Sequence, residues 1–210
     1  MAHPPRIALT IHFVRHGKTE MNLLRLLQGR GGRGLLPEGI ADAERAAATL
    51  EEHGIDLLYS SDQQRAVETA RVIRSRLGLP RIRLSTALRE MDYGKMSGRS
   101  EVDVRRLCPL WRRDATFLFP GGESFARVQA RAFRWLDRIL RRHSRGSLAV
   151  VSHGGWIRTL FAGLKGVPLN HCLEGTVAHG VVGRLDVSRD RGLHLTVESG
   201  VTIFPEGTSL

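Results

Sequence analysis

The sequence predicts one α/β domain over residues 1–210, built as a three-layer α/β/α sandwich around a mostly parallel central sheet. Two observations support this fold class. Short apolar runs typical of buried strands alternate along the chain with longer segments of helical periodicity, an order that gives a parallel sheet covered by helices. The chain is also long enough for one hydrophobic core, and it contains neither an internal repeat nor a linker.

The first half of the chain carries clear start and stop signals for helices. Pro37 suits the first position of a helix, and Gly54 and Gly78 stand where two helices should end. Asp62 is predicted to cap the second of these helices, because its carboxylate can accept from free backbone N–H groups. We therefore predict a strand over 6–14, a short helix over 19–27, a glycine-rich loop over 28–34, a helix over 37–53, a strand over 55–60, a helix running from Asp62 to 77 and a strand over 81–85.

The second half begins with its least regular region, 91–121, which holds Gly94, Gly98, Pro109 and Pro120. We interpret this region as a lid or a small insertion over the site. Beyond it, a wide apolar stripe with arginines opposite predicts an amphipathic helix. The predicted elements are a helix over 122–143, a strand over 148–152, a helix over 154–164 and two strands over 181–187 and 193–197, joined by a turn over 188–192.

Composition and cysteine content indicate a protein of the cytoplasm with no membrane contact. Hydrophobic residues make up 41% of the chain and charged residues 25%, which is ordinary for globular proteins. No apolar stretch approaches the roughly 20 residues that span a bilayer. The apolar run over 7–14 is short and has no small-residue cleavage site, so we interpret it as a strand and not as a signal peptide. Cys108 and Cys172 are expected to be free thiols.

The net charge of +11 comes mainly from arginine, because only Lys18, Lys95 and Lys165 are lysines. A basic protein can bind nucleic acid. The arginines are nevertheless spread along the whole chain, and no aromatic residues alternate with them in a stacking pattern. We therefore do not expect nucleic acid as a partner. A positive field would also attract a phosphorylated small molecule.

Two histidines follow predicted strands at the point where each strand ends. Arg15 and His16 come directly after the first strand, and His153 follows the strand over 148–152. In open α/β sheets, ligands bind at the carboxyl edge of the strands. Arg65 lies near the start of a helix, and Glu90 lies in the loop after a strand. Two histidines, two arginines and one glutamate at one edge would suit the transfer of a phosphoryl group.

Each of these five residues has a chemical role in that reaction. A neutral imidazole can attack phosphorus to give a phosphohistidine, and His16 is the candidate nucleophile. Arg15 and Arg65 would contact the non-bridging oxygens in a bidentate manner, and the glycines after His153 would let backbone N–H groups approach an anion. Glu90 is the candidate acid that protonates the departing oxygen. Each residue is weak evidence alone, and the combination is more specific than its parts.

From Val14 to about Val197, the chain resembles the histidine phosphatase superfamily, also called the phosphoglycerate mutase-like family. The resemblance implies that His16 is phosphorylated, that Arg15, Arg65 and His153 hold the phosphoryl group and that Glu90 donates the proton. It also implies further phosphate contacts from Thr19, Asn22 and the Gly154 backbone. By the same resemblance, Gln28 and Gly29 would border the substrate. The matching pieces are Arg15-His16-Gly17-Lys18-Thr19 with Asn22, Gln28-Gly29, Ser-Ser-Asp-Gln-Gln-Arg-Ala at 60–66 with Thr69-Ala70, Leu88-Arg89-Glu90, Gly121-Gly122-Glu123-Ser124 and Ser152-His153-Gly154-Gly155.

The resemblance implies a metal-independent phosphoric monoester hydrolase with no cofactor, acting on a small phosphorylated substrate. Three segments depart from the family pattern and leave the substrate open. Lys18 stands where the family usually has an acidic or amide residue, the loop over 30–37 lacks the usual aspartate, and the segment over 94–98 replaces a usual Trp-Glu-Gly. All three segments are expected to rim the pocket.

The main alternative to a phosphatase is a cofactor-dependent mutase of the phosphoglycerate type. Mutases of this family usually carry Glu-Arg-x-Tyr-Gly and a long insertion after it. Here the piece beginning at Glu90 reads Glu-Met-Asp-Tyr-Gly, and only 63 positions separate Glu90 from His153. A catalytically silent phosphate-binding module is a third alternative, disfavoured because all five core residues are present. The physiological substrate and the oligomeric state, including a homodimer, stay open.

Overall fold

A computed structural model describes residues 7–188 and 192–202 of the chain. Its centre is a six-stranded sheet with strand order β3-β2-β4-β1-β6-β7. The strands are β1 (Ile7–Arg15), β2 (Leu57–Ser60), β3 (Ile82–Leu84), β4 (Gly146–Ser152), β5 (Thr176–Val177), β6 (Gly180–Ser188), β7 (Gly192–Val197) and β8 (Val201–Thr202), of which β5 and β8 form a separate antiparallel pair. The four strands β3, β2, β4 and β1 run parallel, and β6 and β7 join antiparallel, so the sheet is mixed.

Within residues 7–188 and 192–202, six α-helices lie around the sheet, together with three short 3₁₀ turns. The helices are α1 (Glu20–Leu23), α2 (Pro37–Glu51), α3 (Gln64–Arg76), α4 (Glu101–Leu107), α5 (Phe125–Arg142) and α6 (Gly154–Leu164), and the turns are Thr86–Leu88, Gly94–Met96 and Leu169–Cys172. None of the helices in the described part of the chain has the length and apolar character needed to cross a membrane.

Successive residues of β1 point to opposite faces of the sheet and so supply two hydrophobic cores. Phe13 belongs to the larger core, together with residues of α5 and α6, and Val14 belongs to the smaller one under α2 and α3. Both side chains are fully buried. The α/β/α sandwich predicted from the alternation of strands and helices is therefore confirmed.

The predicted elements are present, although several bounds and one cap differ. The most notable error concerns Asp62, which does not cap α3. Gln63 is the N-cap residue, and the Asp62 carboxylate instead accepts from both ends of the Arg89 guanidinium fork, with Arg89 Nε at 2.7 Å. A bidentate, charge-assisted pair is stronger than a single cap hydrogen bond, which explains the preference. The helix over 19–27 is shorter than predicted, since it ends at Leu23.

The other differences between the predicted and the observed elements are small, or they concern residues that the structure does not describe. The β5–β8 pair was not predicted, because strands of two residues carry no readable periodicity. The predicted turn over 188–192 includes residues 189–191, which lie outside the described residues, as does position 6 of the first predicted strand.

The irregular region 91–121 packs into the larger core. Tyr93, Trp111, Phe119 and Phe125 contact one another edge-on or stacked, with ring centroids 5.3–6.4 Å apart. Trp111 and Phe119 are each only 1% exposed. This aromatic cluster attaches the region to α5, and the region also supplies part of the wall of the cavity described below. Its interpretation as a lid or an insertion stays a prediction.

Candidate active site

The site lies at the carboxyl edge of the two central strands. β1 and β4 are parallel neighbours with Arg15 in register with Ser152, and the His16 backbone N–H donates to Ser152 O at 3.0 Å. The next residue along each strand is a histidine, so His16 and His153 come together with ring centroids 5.1 Å apart. The sheet register alone therefore brings the two sequence-predicted histidines into contact.

Hydrogen bonds fix the tautomer of His16. Its Nδ1 lies 2.8 Å from Gly17 O, and because a carbonyl oxygen only accepts, Nδ1 carries the proton. Its Nε2 accepts from Arg65 Nε at 3.2 Å, so the lone pair of the ring is on Nε2 and points at that donor. Burial, followed by the nearby Arg65 and Arg15 charges, holds the pKa of His16 well below its usual value. The ring is therefore neutral near pH 7, and Nε2 can act as a nucleophile once the hydrogen bond from Arg65 is released.

Two glycines allow the loop that carries His16 to contact α2 closely. A Cβ on Gly17 would lie 2.0 Å from Gly39 O, and a Cβ on Gly39 would lie 2.0 Å from Lys18 O. Neither position can hold a side chain without moving backbone. The Gly17 N–H donates to Thr69 Oγ1 at 3.0 Å, which ties the same loop to α3. The histidine is thus held by backbone packing on one side and a buried hydrogen bond on the other.

Arg15 and Arg65 flank the His16 ring. The guanidinium of Arg65 donates to Gly31 O at 2.7 Å and to Gly29 O at 2.8 Å, and Arg15 Nη1 donates to Val177 O. Burial lowers the pKa of Arg15, and it lowers that of Arg65 to about 10, so Arg65 stays charged at neutral pH. Within residues 7–188 and 192–202, neither guanidinium forms an ion pair. Two buried cations without a paired carboxylate are suited to an anion.

His153 is fully buried, and neither of its ring nitrogens has a hydrogen-bond partner among the described residues. Burial and the charge of Arg65 hold its pKa well below the usual value, so it is neutral and keeps one N–H donor. The Nε of Arg15 is likewise buried and unpartnered. An unsatisfied buried polar group costs about 1–3 kcal/mol, so these atoms mark where a bound oxyanion would accept hydrogen bonds.

Glu90 lies against the first turn of α6. Its Oε2 accepts from Gly155 N at 3.1 Å, and its Oε1 accepts from Met91 N at 2.8 Å. A Cβ on Gly155 would lie 2.5 Å from Oε1, so only glycine lets the carboxyl group approach this closely. The carboxyl group therefore faces the same cavity as His16, at a fixed position.

A cavity of about 270 Å³ joins Arg15, His16, Arg65 and Glu90, whereas the fully buried His153 is not among the residues that line it. Four of the five predicted binding positions line it, namely Asn22, Gln28, Gly29 and Gly154. Thr19 is buried behind this wall, where it forms a capping box with Asn22 at the start of α1 and its hydroxyl accepts from Gln28 Nε2. Thr19 can therefore act on a ligand through Asn22 and Gln28, and its predicted direct contact with phosphate stays a prediction.

Sequence reasoning missed several residues around the site. His179 donates from Nδ1 to His16 O at 2.6 Å, and burial followed by the Arg15 charge lowers its pKa to about 4. Arg112, Arg158 and Tyr93 also line the cavity. Arg158 follows Gly154 by four residues on α6, and this i, i+4 spacing could have identified it. No pattern in the sequence pointed to His179 or Arg112.

The chain is similar to a known protein family and to several solved structures over most of its length. The family model for the histidine phosphatase superfamily (branch 1) matches residues 11–198. A 2,3-bisphosphoglycerate-dependent phosphoglycerate mutase of Brucella ovis is 33% identical over 183 residues, covering 82% of this chain and 89% of that one. A mycobacterial glucosyl-3-phosphoglycerate phosphatase superposes with a TM-score of 0.78 at 29% identity, covering 91% and 98% of the two chains.

A third similarity is to the alpha-ribazole phosphatase of Shigella flexneri, with a TM-score of 0.78 at 25% identity over 93% of this chain and 97% of that one. The relatives thus include both phosphatases and mutases. Since the family match spans most of the residues and includes every strand of the central sheet, the chain belongs to the histidine phosphatase superfamily.

Proposed function

We propose that this protein is a phosphomonoesterase that hydrolyses a small phosphorylated substrate through a phosphohistidine at His16. The observation that carries the proposal is the state of the His16 ring. Its Nε2 holds a lone pair, and buried, unpaired cationic groups of Arg15 and Arg65 surround it. A neutral nucleophile beside two fixed cations is the arrangement that attack on a phosphate dianion requires.

The reaction has two steps. In the first, His16 Nε2 forms a bond to phosphorus while the bond from phosphorus to the ester oxygen breaks, and Glu90 gives its proton to that oxygen. In the second, the Glu90 carboxylate takes a proton from water as the water oxygen bonds to phosphorus. The bond to Nε2 then breaks, and inorganic phosphate leaves. Covalent catalysis thus divides one difficult displacement into two easier ones.

Fixed donors stabilise the charge on the transferring group. Arg15 Nε and the His153 ring are buried and have no hydrogen-bond partner among the described residues, so they can donate to the non-bridging oxygens without first breaking protein hydrogen bonds. Such preorganised donors are effective because they need no rearrangement in the transition state. Arg65 differs, because its Nε donates to the lone pair of His16 Nε2, and this hydrogen bond must break before Nε2 attacks phosphorus.

Two further arginines in the cavity favour a substrate with a second anionic group. Arg112 and Arg158 both line the cavity, and the Nε atom of each is buried with no hydrogen-bond partner among the described residues. Arg158 is only 7% exposed, and its Nη1 donates to Gly175 O. Glu101 neutralises part of the Arg112 charge by accepting from it at 2.6 Å. A carboxylate or a second phosphate on the substrate would pair with the remaining positive charge.

A mutase is the second candidate, because the Brucella ovis relative bears that name. An alignment that covers 82% of this chain covers 89% of the relative, so the two proteins have similar lengths. The short distance from Glu90 to His153, which we expected to weigh against a mutase, therefore does not separate the two activities. Phosphatase remains our first choice because position 91, after Glu90, is a buried methionine instead of the arginine usual in mutases.

One pair of assays tests the proposal. Purified protein should hydrolyse nitrophenyl phosphate saturably, and the His16→Ala variant should lose this activity. The same protein is then given 3-phosphoglycerate with and without 2,3-bisphosphoglycerate. Release of inorganic phosphate without isomerisation supports the phosphatase, whereas isomerisation that depends on the bisphosphate supports the mutase. A protein that does neither, but binds phosphate, would be the silent module.

The homodimer, the cytoplasmic location and the absence of nucleic-acid binding stay predictions. Filter binding of nucleic acid across a range of salt concentrations tests the last of these, because contacts with phosphates make such affinity fall steeply with salt.

A further inference from the structure

Gln63 occupies an unusual place for a glutamine. It is the N-cap residue of α3, a position that favours short polar side chains able to accept from the first turn. Its side chain makes no such cap hydrogen bond, and the residue is only 7% exposed. Instead, the side chain turns away from its own helix toward the residues around His16. The amide therefore serves something other than the helix end.

Both ends of the Gln63 amide have partners in the active site. Its Oε1 accepts from the Glu90 backbone N–H at 2.7 Å, and its Nε2 donates to Gly29 O at 2.9 Å. Because one partner only donates and the other only accepts, the orientation of the amide is unique. Gly29 O also accepts from Arg65 Nη2 at 2.8 Å. One side chain thus connects the candidate proton donor, the glycine-rich loop and the carbonyl that holds Arg65.

We propose that Gln63 is a positioning residue that holds the Glu90 backbone in place for proton transfer, an inference that rests on the proposed phosphatase function. The Glu90 carbonyl is already fixed, since it accepts from Arg131 Nη2 at 3.0 Å. Gln63 supplies the matching restraint on the N–H side. Without it, the Glu90 backbone would keep the restraint on its carbonyl side but lose the one on its N–H side, and the carboxyl group would be less precisely aligned with the leaving oxygen.

This role makes the effect of Gln63 depend on the leaving group. An alkyl phosphate leaves as a strongly basic alkoxide and needs the proton of Glu90, whereas nitrophenyl phosphate leaves as a weakly basic phenolate. Misplacing the acid should therefore slow the alkyl substrate and leave the aryl substrate largely unaffected. A merely structural role in α3 would slow both substrates alike, because it would disturb Arg65 and His16 as well.

The test compares Gln63→Met with Gln64→Met. Gln64 is the matched control, because it is the next residue, is exposed, and its side chain bonds only to Glu68, at 2.8 Å, among the described residues. We expect Gln63→Met to lower kcat for an alkyl phosphate by roughly tenfold to a hundredfold, with little change for nitrophenyl phosphate and in KM. Gln64→Met should change neither. Equal losses on both substrates, or no loss on either, would overturn the proposal.

A second variant keeps the proposal testable if Gln63→Met folds poorly. Gln63→Glu retains an oxygen that can accept from Glu90 N–H but removes the donor to Gly29 O. The ratio of alkyl to aryl turnover should therefore stay close to that of the parent protein. A ratio that falls roughly tenfold or more below that of the parent protein would show that the Glu90 hydrogen bond is not the important contact.

Amide hydrogen exchange separates this inference from the proposed function. If the parent protein hydrolyses neither substrate, the phosphatase proposal fails, and the exchange rate of the Glu90 N–H still reports on the contact. We expect this amide to exchange faster in Gln63→Met and at the parent rate in Gln64→Met. An unchanged rate in Gln63→Met would overturn the positioning role whatever the activity.

Discussion

Strand β1 and the residue that directly follows it each contribute one histidine to a histidine pair. At its carboxyl end, His16 faces His153 with ring centroids 5.1 Å apart, and four residues earlier His12 stacks on His53 at 4.5 Å with an angle of 26° between the rings. His12 and His16 are each 2% exposed, and burial is the largest cause of a lowered pKa in both. Burial and a histidine neighbour therefore do not distinguish the two pairs.

The surroundings of the two pairs differ. His12 is in register with Arg184, whose Nε bonds to the Asp186 carboxylate at 3.0 Å, so the charges beside His12 neutralise each other. Around His16, the arginines have no carboxylate partner among the described residues, and His153 has no hydrogen-bond partner there. Buried N–H donors without hydrogen-bond partners, more than a low pKa, therefore identify the histidine pair that is able to bind an anion.

The largest expected effect separates the two pairs directly. His16→Ala should lower turnover by roughly 10⁴-fold or more, because the nucleophile is lost, whereas His53→Ala should leave turnover near the parent value. Phosphohistidine is labile to acid, so the labelled intermediate must be trapped by alkaline quench and located by peptide mapping. Label on His153, or on no histidine, would contradict the assignment of His16.

The next effect concerns the arginines beside His16, which form no ion pair among the described residues, whereas Arg184 beside His12 pairs with Asp186. Arg15→Ala and Arg65→Ala should each cost about 3 kcal/mol in the transition state, a loss on the order of a hundredfold or more in kcat. Arg71→Ala is the control, because Arg71 is an exposed arginine on the same helix as Arg65. If either site variant raised KM with kcat intact, that arginine would bind the ground state instead.

The third prediction concerns Glu90, which has no counterpart beside His12. Glu90→Gln should slow an alkyl phosphate by on the order of a hundredfold, with a much smaller effect on nitrophenyl phosphate, because only the alkoxide needs a proton. Asp92→Asn serves as the comparison, since the Asp92 carboxylate pairs with Arg30 at 3.2 Å and accepts from Gly94 N. Equal and large losses in Glu90→Gln would indicate a positioning role, and Asp92 would become the next acid to test.

Much of the site could be predicted because it follows from strand order. His16 and His153 end neighbouring parallel strands, so recognising both strands was enough to bring them together. Arg65 lies in the first turn of α3, directly after β2, and the same reasoning applies to it. Such positions are set by local periodicity and sheet geometry, both of which the sequence displays.

The rest depends on long-range contacts that have no local pattern. The sequence predicted that Asp62 caps α3, but its carboxylate instead accepts a hydrogen bond from Arg89, 27 residues later in the chain. His179 reaches the His16 carbonyl from a short segment 163 residues away, and Arg112 reaches the cavity from the irregular region 91–121. For such contacts, tertiary packing determines the partner and local propensity does not.

The smallest expected effect concerns the property that the two pairs share, namely the lowered pKa of the buried histidines His12 and His16. A histidine whose pKa is lowered in the folded state stays neutral there, while the unfolded chain takes up a proton below about pH 6.5. Its contribution to stability is therefore complete above that pH and decreases as the pH falls toward the folded pKa. For His12, whose folded pKa is about 4, this loss should amount to about 2 kcal/mol between pH 7 and pH 5.

Urea unfolding at these two pH values measures the loss, and the difference between them cancels any general destabilisation by a substitution. His12→Gln should lose about 2 kcal/mol less than the parent protein on acidification, because the titrating group is gone. His16→Gln should reduce the pH sensitivity in the same direction, since burial also lowers the pKa of His16. Only His16→Gln should abolish turnover at pH 7. A His12→Gln protein with the parent's pH sensitivity would show that His12 is not held neutral, and the likeness between the two pairs would then be limited to their geometry.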